Sequence, residues 1–447
     1  MSTEVEKIKS AGDFQLIDVK IGSVKGTIFD VFNFVIDINI YEDMYSPTMS
    51  GNITLNDAQD LVNLMPMIGE EKLLITFKTP SIDEKDGLYE QEFYIYKMTD
   101  RKYTAERAVE YTLHFVSFET VRDLNAKVSK GFAGTISTVV EQILKQELRT
   151  DKKINIEKTK NTTMYVSNFW TPFTNINFLA KRSLSQETES ANFIFFENNR
   201  GFNYASIDTL LSQDPKTKYI YDNNSRDPSA DGGGSSRDIA ETLSRINSVK
   251  INTAFDYMNR IQSGMYKSRL ITHEIVTKTY NVQTLTYEDE FKNHNHLNKY
   301  PLSTVNLPSK TFAFLDVKPR ALENFSNFKT DKMKTWYLKN IMHMNEINAY
   351  YMDITVPGRS DLCVGDVVDV YMYRPTPFNQ KDQEEQLLDK TFSGRYMIAS
   401  LCHNLNREKH EIHMSIIKDS LIVDLTKEGS EWYFIQVLLK IELILLD

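Results

Sequence analysis

Cysteine is nearly absent. Cys363 and Cys402 are the only two in 447 residues, too few for a disulfide framework, so core packing and partners must hold the fold together. Both read as small buried hydrophobes. Long apolar runs are missing too: no stretch approaches the roughly 18 continuous apolar residues of a membrane span. The opening MSTEVEKIKSAGDF has no apolar signal core, which points to a chain made and folded in a cytoplasm. Nor is there an excess of positive charge. Lys plus Arg number 52 against 61 Asp plus Glu, a formal net charge of -9, which disfavours broad attachment to a polyphosphate. No basic run carries the interleaved aromatics of a nucleic-acid surface.

Catalytic signatures are equally scarce. Gly232 to Gly234 form the only glycine cluster, and no Lys-Ser or Lys-Thr follows at phosphate-loop spacing. There is no Gly-x-Ser-x-Gly elbow, and neither cysteine lies in a nucleophile motif. The carboxylate pairs Glu187 with Glu189 and Glu384 with Glu385 sit in the very polar QETES and QKDQEEQ, where nothing desolvates one partner to make it an acid. His410 and His413 fall three apart in a predicted strand and so point to opposite faces, one half-buried and one exposed. His294 and His296 share a parity in FKNHNHLNKY but read as part of a solvated loop, short of the four ligands of structural zinc. The expectation is therefore a non-enzymatic chain without catalytic, cofactor or metal residues.

What the sequence does contain is strand periodicity. Through about residue 128 apolar residues alternate with polar ones: Phe34, Ile36, Ile38 and Ile40 against Asn33, Asp37 and Asn39, then Met49, Gly51, Ile53 and Leu55, then KLLITFK, QEFYIYKMT, and Val109, Tyr111, Leu113 and Phe115. Many short antiparallel strands protect their edges by closing, which predicts a barrel-like unit over 1–128. From 129 to 235 the pattern changes. Ile136, Val139, Val140, Ile143, Leu144 and Leu148 keep helical spacing behind Thr135, and a second helix is expected in TNINFLAKRSLS with Thr174 as its cap. NFIFFE and GFNYASI then form a hairpin about Asn198 to Gly201, completing a small α/β domain. DPSADGGGSSRD, at 227–238, reads as a linker. A short helix near Tyr257 to Gln262 leads into RLITHEIVTKTYNV, and a polar insertion covers about 288–330. NAYYMDITVP, DVVDVYMYR, RYMIASLCHN and KHEIHMSII restore the strand pattern, giving a second barrel-like unit over 236–425. The expected fold class is thus α+β and β-rich, two antiparallel barrel-like, tube-type domains around an α/β domain. A tail at 426–447, EWYFIQVLLKIELILLD, is apolar enough to require burial, and Trp432, Tyr433, Phe434, Leu438 and Leu439 are its candidate partner-interface residues.

Several segments, in order, resemble the baseplate hub proteins of contractile-tailed, T-even-like phages and the amino-terminal hub part of VgrG spike proteins. YSPTMSGNITLNDAQDLVNLMPMIGEEKLLITF is similar to the opening barrel of that family. NFWTPFTNINFLAKRSLSQ with NFIFFENNRGFNYASIDTLL resembles its middle domain. IQSGMYKSRLITHEIVTKTY, ITVPGRSDLCVGDVVDVYMYRP and SGRYMIASLCHNLNREKHEIHMSIIKDS resemble the second barrel. The likeness runs from about Tyr41 to Ser420. It implies a homotrimer presenting six quasi-equivalent barrels, which joins a six-fold tail tube to a three-fold spike and lets DNA pass without specific binding. The 27 residues after Ser420 are too few for the family's needle, so the spike is expected to be a separate protein. Other implied partners are the tail tube or a tube-initiator protein and the baseplate wedge proteins, in a virion assembled in the bacterial host cytoplasm. Two other classes stay open from the residues alone: a tail-associated cell-wall hydrolase and a receptor- or glycan-binding tail protein.

Overall fold

The computed structural model describes residues 11–65, 67–80, 82, 87–105, 108–221, 242–274, 278–303, 308–315, 333–374 and 388–424. The predicted linker at 227–238, Glu384 and Glu385, and the tail with Trp432, Tyr433, Phe434, Leu438 and Leu439 lie outside the described residues.

The amino-terminal strands are β1 (Gln15–Gly22), β2 (Ile28–Asp30), β3 (Val35–Asp43), β4 (Ser50–Asp57), β5 (Lys72–Lys78), β6 (Leu88–Ala105) and β7 (Ala108–Val116). Their alternation buries one face: Met49, Ile53, Leu55, Leu73, Ile75, Phe77, Tyr111, Leu113 and Phe115 form one core. β3 departs from strict parity, because a register shift between Val35 and Asp37 leaves Ile36 half-exposed and returns Ile38 and Ile40 to the core. Gly51 is required by close approach: a Cβ there would stand 2.3 Å from the Asn39 carbonyl oxygen and 2.4 Å from the Phe115 ring.

Next come β8 (Gly131–Thr135), β9 (Ile154–Ile156), β10 (Thr162–Val166), β11 (Phe193–Asn198), β12 (Gly201–Ser206) and β13 (Thr217–Tyr221). The helix Ile136–Gln142 continues as one π turn, Ile143–Glu147, and buries all six residues of the expected stripe. The helix Pro172–Ala180 is capped by Thr171, whose side chain accepts from the Thr174 N–H, with Pro172 in the first turn. Thr174 is thus the donor and not the cap, since a proline without an N–H fits just inside the cap. These helices pack on β11 and β12 to make a second core with Phe173, Ile176, Phe195, Phe202 and Tyr204.

The remaining strands are β14 (Ser248–Thr253), β15 (Lys267–Glu274), β16 (Thr279–Thr286), β17 (Lys310–Leu315), β18 (Tyr350–Pro357), β19 (Val367–Met372), β20 (Gly394–Asn406) and β21 (His410–Lys418). A third core collects Met352, Ile354, Val367, Val368, Met397, Ile398, Ile412 and Ile416, and draws in Ile194, Phe196 and Ile207. The segment expected to loop out as an insertion instead packs inward in part. The helix Tyr287–Phe291 opens it, Leu297 is buried, and the Asn298 N–H bonds to Ser420 Oγ at 2.7 Å.

The fold is β-rich. Its main sheet has 13 strands in the order β14-β18-β21-β20-β3-β4-β7-β6-β5-β1-β2, with β19 beside β20 and β13 beside β19. All of its pairings are antiparallel except β13 with β19. The path is open: among the described residues no sheet closes into a ring. Among them no helix is long and apolar enough to cross a membrane.

Candidate functional site: a polar sheet face and the turn that braces it

Eight consecutive strands of the main sheet, from β14 to β6, share one half-exposed face, because each sends every second residue away from the cores. Their register lines these residues into rows. One row crosses all eight strands as Ser248, Thr355, His413, Cys402, Tyr41, Ser50, Val116 and Tyr94. The next reads Glu411, Asn404, Asn39, Asn52, His114 and Lys97. Hydrogen bonds run along and between the rows: Asn404 Nδ2 donates to Asn39 Oδ1 (2.7 Å) and Asp37 Oδ1 (2.9 Å), and Asn39 Nδ2 donates to Asn52 Oδ1 (3.1 Å). The Thr54 and Thr112 hydroxyls meet at 3.1 Å, and Thr99 meets His114 Nε2 at 2.9 Å. Amides and hydroxyls alternate there with carboxylates, Asp37 and Asp43 on the central β3 and Asp353 on β18, and Glu110 pairs with Lys102 at 2.7 Å. Such a surface is well hydrated and offers a phosphate chain few cations to bind.

The face crosses from the amino-terminal strands to the carboxy-terminal ones through the β3 and β20 pairing, where Asn39 stands opposite Asn404. Underneath, the β11–β12 turn braces that seam. Buried Glu42 accepts from the Asn199 N–H and the Val364 N–H, each at 3.0 Å. Burial nonetheless pushes its pKa up to about 8. Arg200 forks onto buried Asp366 with two bonds of 2.8 Å, and Asn198 Nδ2 donates to the Val364 carbonyl. Glu197 accepts from the Met49 N–H at 3.0 Å and pairs with Lys152. Gln91 Nε2 donates to Asn199. The turn and the end of β11 thereby touch β3, β6, the residue before β4 and the loop before β19. Gly201 closes it at φ +115°, where any Cβ would meet the Lys153 carbonyl oxygen at 2.2 Å. A second tie lies nearby, since Thr79 and Ser360 each donate a backbone N–H to the other's hydroxyl at 3.0 Å.

Of the residues singled out in the sequence, His413 is exposed on the polar face, whereas His410 is fully buried rather than half-buried. Cys363 is buried, but Cys402 stands half-exposed in the polar row, so only one of the two is a core hydrophobe. Glu187 is exposed, and Glu189 pairs with Lys160 on the surface. The solvated-loop reading of His294 and His296 is overturned: their side chains are 1% and 8% exposed. They are enclosed because the segment threads between the helix Met333–Glu346 and the end of β21. His296 Nδ1 lies 2.6 Å from Asp419 Oδ2, and Nε2 lies 2.8 Å from the Phe291 carbonyl oxygen. Burial works against the His296 charge, yet the Asp419 bond and the nearby carboxylates hold its pKa up at about 9. The sequence reading places the turn about Asn198 to Gly201 but misses its bracing role, and with it Glu42 and Asp366. A signal exists: Glu42 follows Ile38 and Ile40 on the core parity of β3, and Lys418 likewise ends the run His410, Ile412, Met414 and Ile416 on β21.

No family model matches the sequence, and no curated protein matches it. Solved structures share the fold. A tail protein from Neisseria meningitidis MC58 aligns over 90% of this chain and 96% of its own at 10% identity, with a TM-score of 0.51. The 43 kDa tail protein of prophage MuSo2 from Shewanella oneidensis aligns over 90% and 98% at 9% identity, with a TM-score of 0.52. The Escherichia coli c3393 protein, a component of the type VI secretion system, aligns more loosely, over 91% and 77% at 8% identity with a TM-score of 0.42. In fold, this chain is similar to phage tail proteins along nearly its whole length.

Proposed function

We propose that the chain is a structural, non-enzymatic hub of a contractile phage tail baseplate. In this reading it is a homotrimeric adaptor between the six-fold tail tube and a separate three-fold spike protein. The observation that carries the reading is the continuous polar face. Each chain supplies two consecutive four-strand arcs, β14-β18-β21-β20 and β3-β4-β7-β6, joined in register. Three copies around an axis would present six such arcs to a common lumen, each arc curling into a tube-type unit, with the polar face inward. A lining of amides, hydroxyls and carboxylates with little positive charge would let DNA slide past without being held. The likeness to solved tail proteins supports a virion location, and the sequence resemblance supplies the remaining partners: the tail tube or its initiator and the baseplate wedges. The apolar tail with Trp432, Tyr433, Phe434, Leu438 and Leu439 is the proposed docking element for the spike or for the hub's own core.

The test is the absolute mass of the purified chain by light scattering over a range of concentrations, alone and co-expressed with its spike. A mass of three chains in either case supports the ring. A strict monomer in both would refute it and favour the receptor-binding reading. Deleting residues 430–447 then assigns the tail: loss of spike binding with the hub intact marks a docking element, and unfolding marks core.

A further inference from the structure

His296, Glu346 and Asp419 bring one imidazole nitrogen and two carboxylate oxygens within 4.8 Å of one another, and all three residues are largely or fully buried. His296 Nδ1 lies 2.6 Å from Asp419 Oδ2 and 3.6 Å from Glu346 Oε1. A proton on His296 does not satisfy this arrangement. An imidazolium has two N–H groups, and these are committed to the Phe291 carbonyl oxygen and to Asp419. Glu346 Oε1 is left buried and without a donor, a costly state for a carboxylate oxygen. The Tyr287 hydroxyl leans on the same carboxyl, but no hydrogen bond reaches that oxygen.

A cation would satisfy all three donors at once. The surrounding bonds are those of outer-shell support: Nε2–H on a backbone carbonyl fixes the ring with Nδ1 pointing inward. Asp419 Oδ1 is held by the Leu297 N–H at 3.2 Å and the Ser420 hydroxyl at 2.7 Å, which leaves Oδ2 for the ion. Ligands about 2.0–2.2 Å from a tetrahedral metal stand roughly 3.3–3.6 Å apart. The 3.6 Å spacing of Nδ1 and Glu346 Oε1 already fits, Asp419 Oδ2 must open from Nδ1 by about 0.8 Å, and the two carboxylate oxygens stand within 4.8 Å of each other. An imidazole with two carboxylates suits a borderline transition metal better than Mg2+ or Cu(I).

We propose that His296, Glu346 and Asp419 bind a divalent transition-metal cation of the zinc type, with solvent completing the coordination. The ion would tie the 291–298 segment, the helix Met333–Glu346 and the end of β21 into one body, a structural role outside the polar face. The experiment uses the full chain without an affinity tag, stripped with chelator, incubated with Zn2+ and freed of excess metal. Close to one zinc per chain is expected by elemental mass spectrometry, together with a melting temperature that falls on stripping and recovers on reloading. Asp419→Asn and Glu346→Gln should each lose the zinc. Zinc far below one per chain, or a melting temperature indifferent to it, overturns the proposal, as do folded variants that retain the metal. Where the variants fail to fold, the wild-type chain decides: Co2+ should give visible absorption bands of an enclosed, low-symmetry site that Zn2+ abolishes, and their absence refutes the site.

Discussion

His403 and His410 face each other inside the amino-terminal core and should make β20 and β21 acid-labile. Both are 0% exposed. His403 Nδ1 and His410 Nε2 share a hydrogen bond of 3.0 Å, and the two outer nitrogens have no partner. Phe77 lies 5.7 and 5.5 Å from the two rings, edge-on, and Tyr89 lies 5.5 Å from His403. No hydrogen-bond acceptor reaches either outer nitrogen, and Asp361 offsets the burial of His403 only in part. Burial lowers the His403 pKa to about 3 from an ordinary 6.5 and drives that of His410 well down, helped by His403. The folded state therefore keeps both rings neutral, whereas the unfolded chain takes up protons below about pH 6.5. Stability from this source is complete above pH 6.5 and is lost as pH falls towards 3. For His403 alone the loss by pH 5 is RT ln(1 + 10^1.5), about 2 kcal/mol or roughly 30-fold in the opening equilibrium.

The assay is hydrogen exchange at the β20 and β21 amides near pH 7.5 and pH 5, corrected for intrinsic rates, in the wild type and in His403→Leu. Any packing loss from the substitution is the same at both pH values and cancels in the comparison. The wild type should lose about 30-fold more protection than the variant on acidification. Parallel losses would show that His403 does not stay neutral in the folded chain, and the reasoning would fail.

Glu42 titrates in the opposite sense. Burial raises its pKa from 4.5 to about 8, so its contribution is intact below about pH 4.5 and is lost as pH rises towards 8. The wild type should lose about 3 kcal/mol between pH 5 and 7.5 that Glu42→Gln does not, measured as the shift in urea midpoint of each. Gly51→Ala should destabilise the amino-terminal core by at least about 1–3 kcal/mol, because the new methyl meets a backbone oxygen and the Phe115 ring; a thermal midpoint equal to wild type would contradict the close packing of β4 between β3 and β7. Thr171→Ala removes the cap of the helix Pro172–Ala180 and should cost about 1 kcal/mol, while Thr174→Ala should leave that cap in place, a contrast that thermal unfolding can read.

The strands are legible where one face is dry and the other wet. Met49, Gly51, Ile53 and Leu55 follow the core parity of β4 without exception, and both halves of the β11–β12 hairpin can be placed from their residues. Legibility fails where polar groups go inside. The helix Met333–Glu346 carries His343 and Glu346 on its buried side, which breaks the apolar stripe that would have announced it. His294 and His296 read as solvated because FKNHNHLNKY is polar throughout, and only the threading of that segment past β21 encloses them. The seam between β3 and β20 joins residues 357 to 369 positions apart, and nothing local in either strand names the other.

That seam also separates weak ties from strong ones. On the wet face the contacts are partly solvent-exposed, among them the Lys102–Glu110 pair and the Asn404 bond to Asp37, and each is worth little. The ladder of Asn404, Asn39 and Asn52 adds side-chain bonds there, also worth little singly against water. The stronger ties lie on the opposite, dry side, where Glu42, Glu197 and Asp366 answer backbone N–H groups and the Arg200 fork. Breaking such a buried group leaves its partner stranded at a cost of several kcal/mol, so the turn fixes the angle between the two halves more firmly than the face could. The division keeps geometry and surface chemistry independent: side chains on the wet face can vary without loosening the joint, and the joint can be rigid without charging the face.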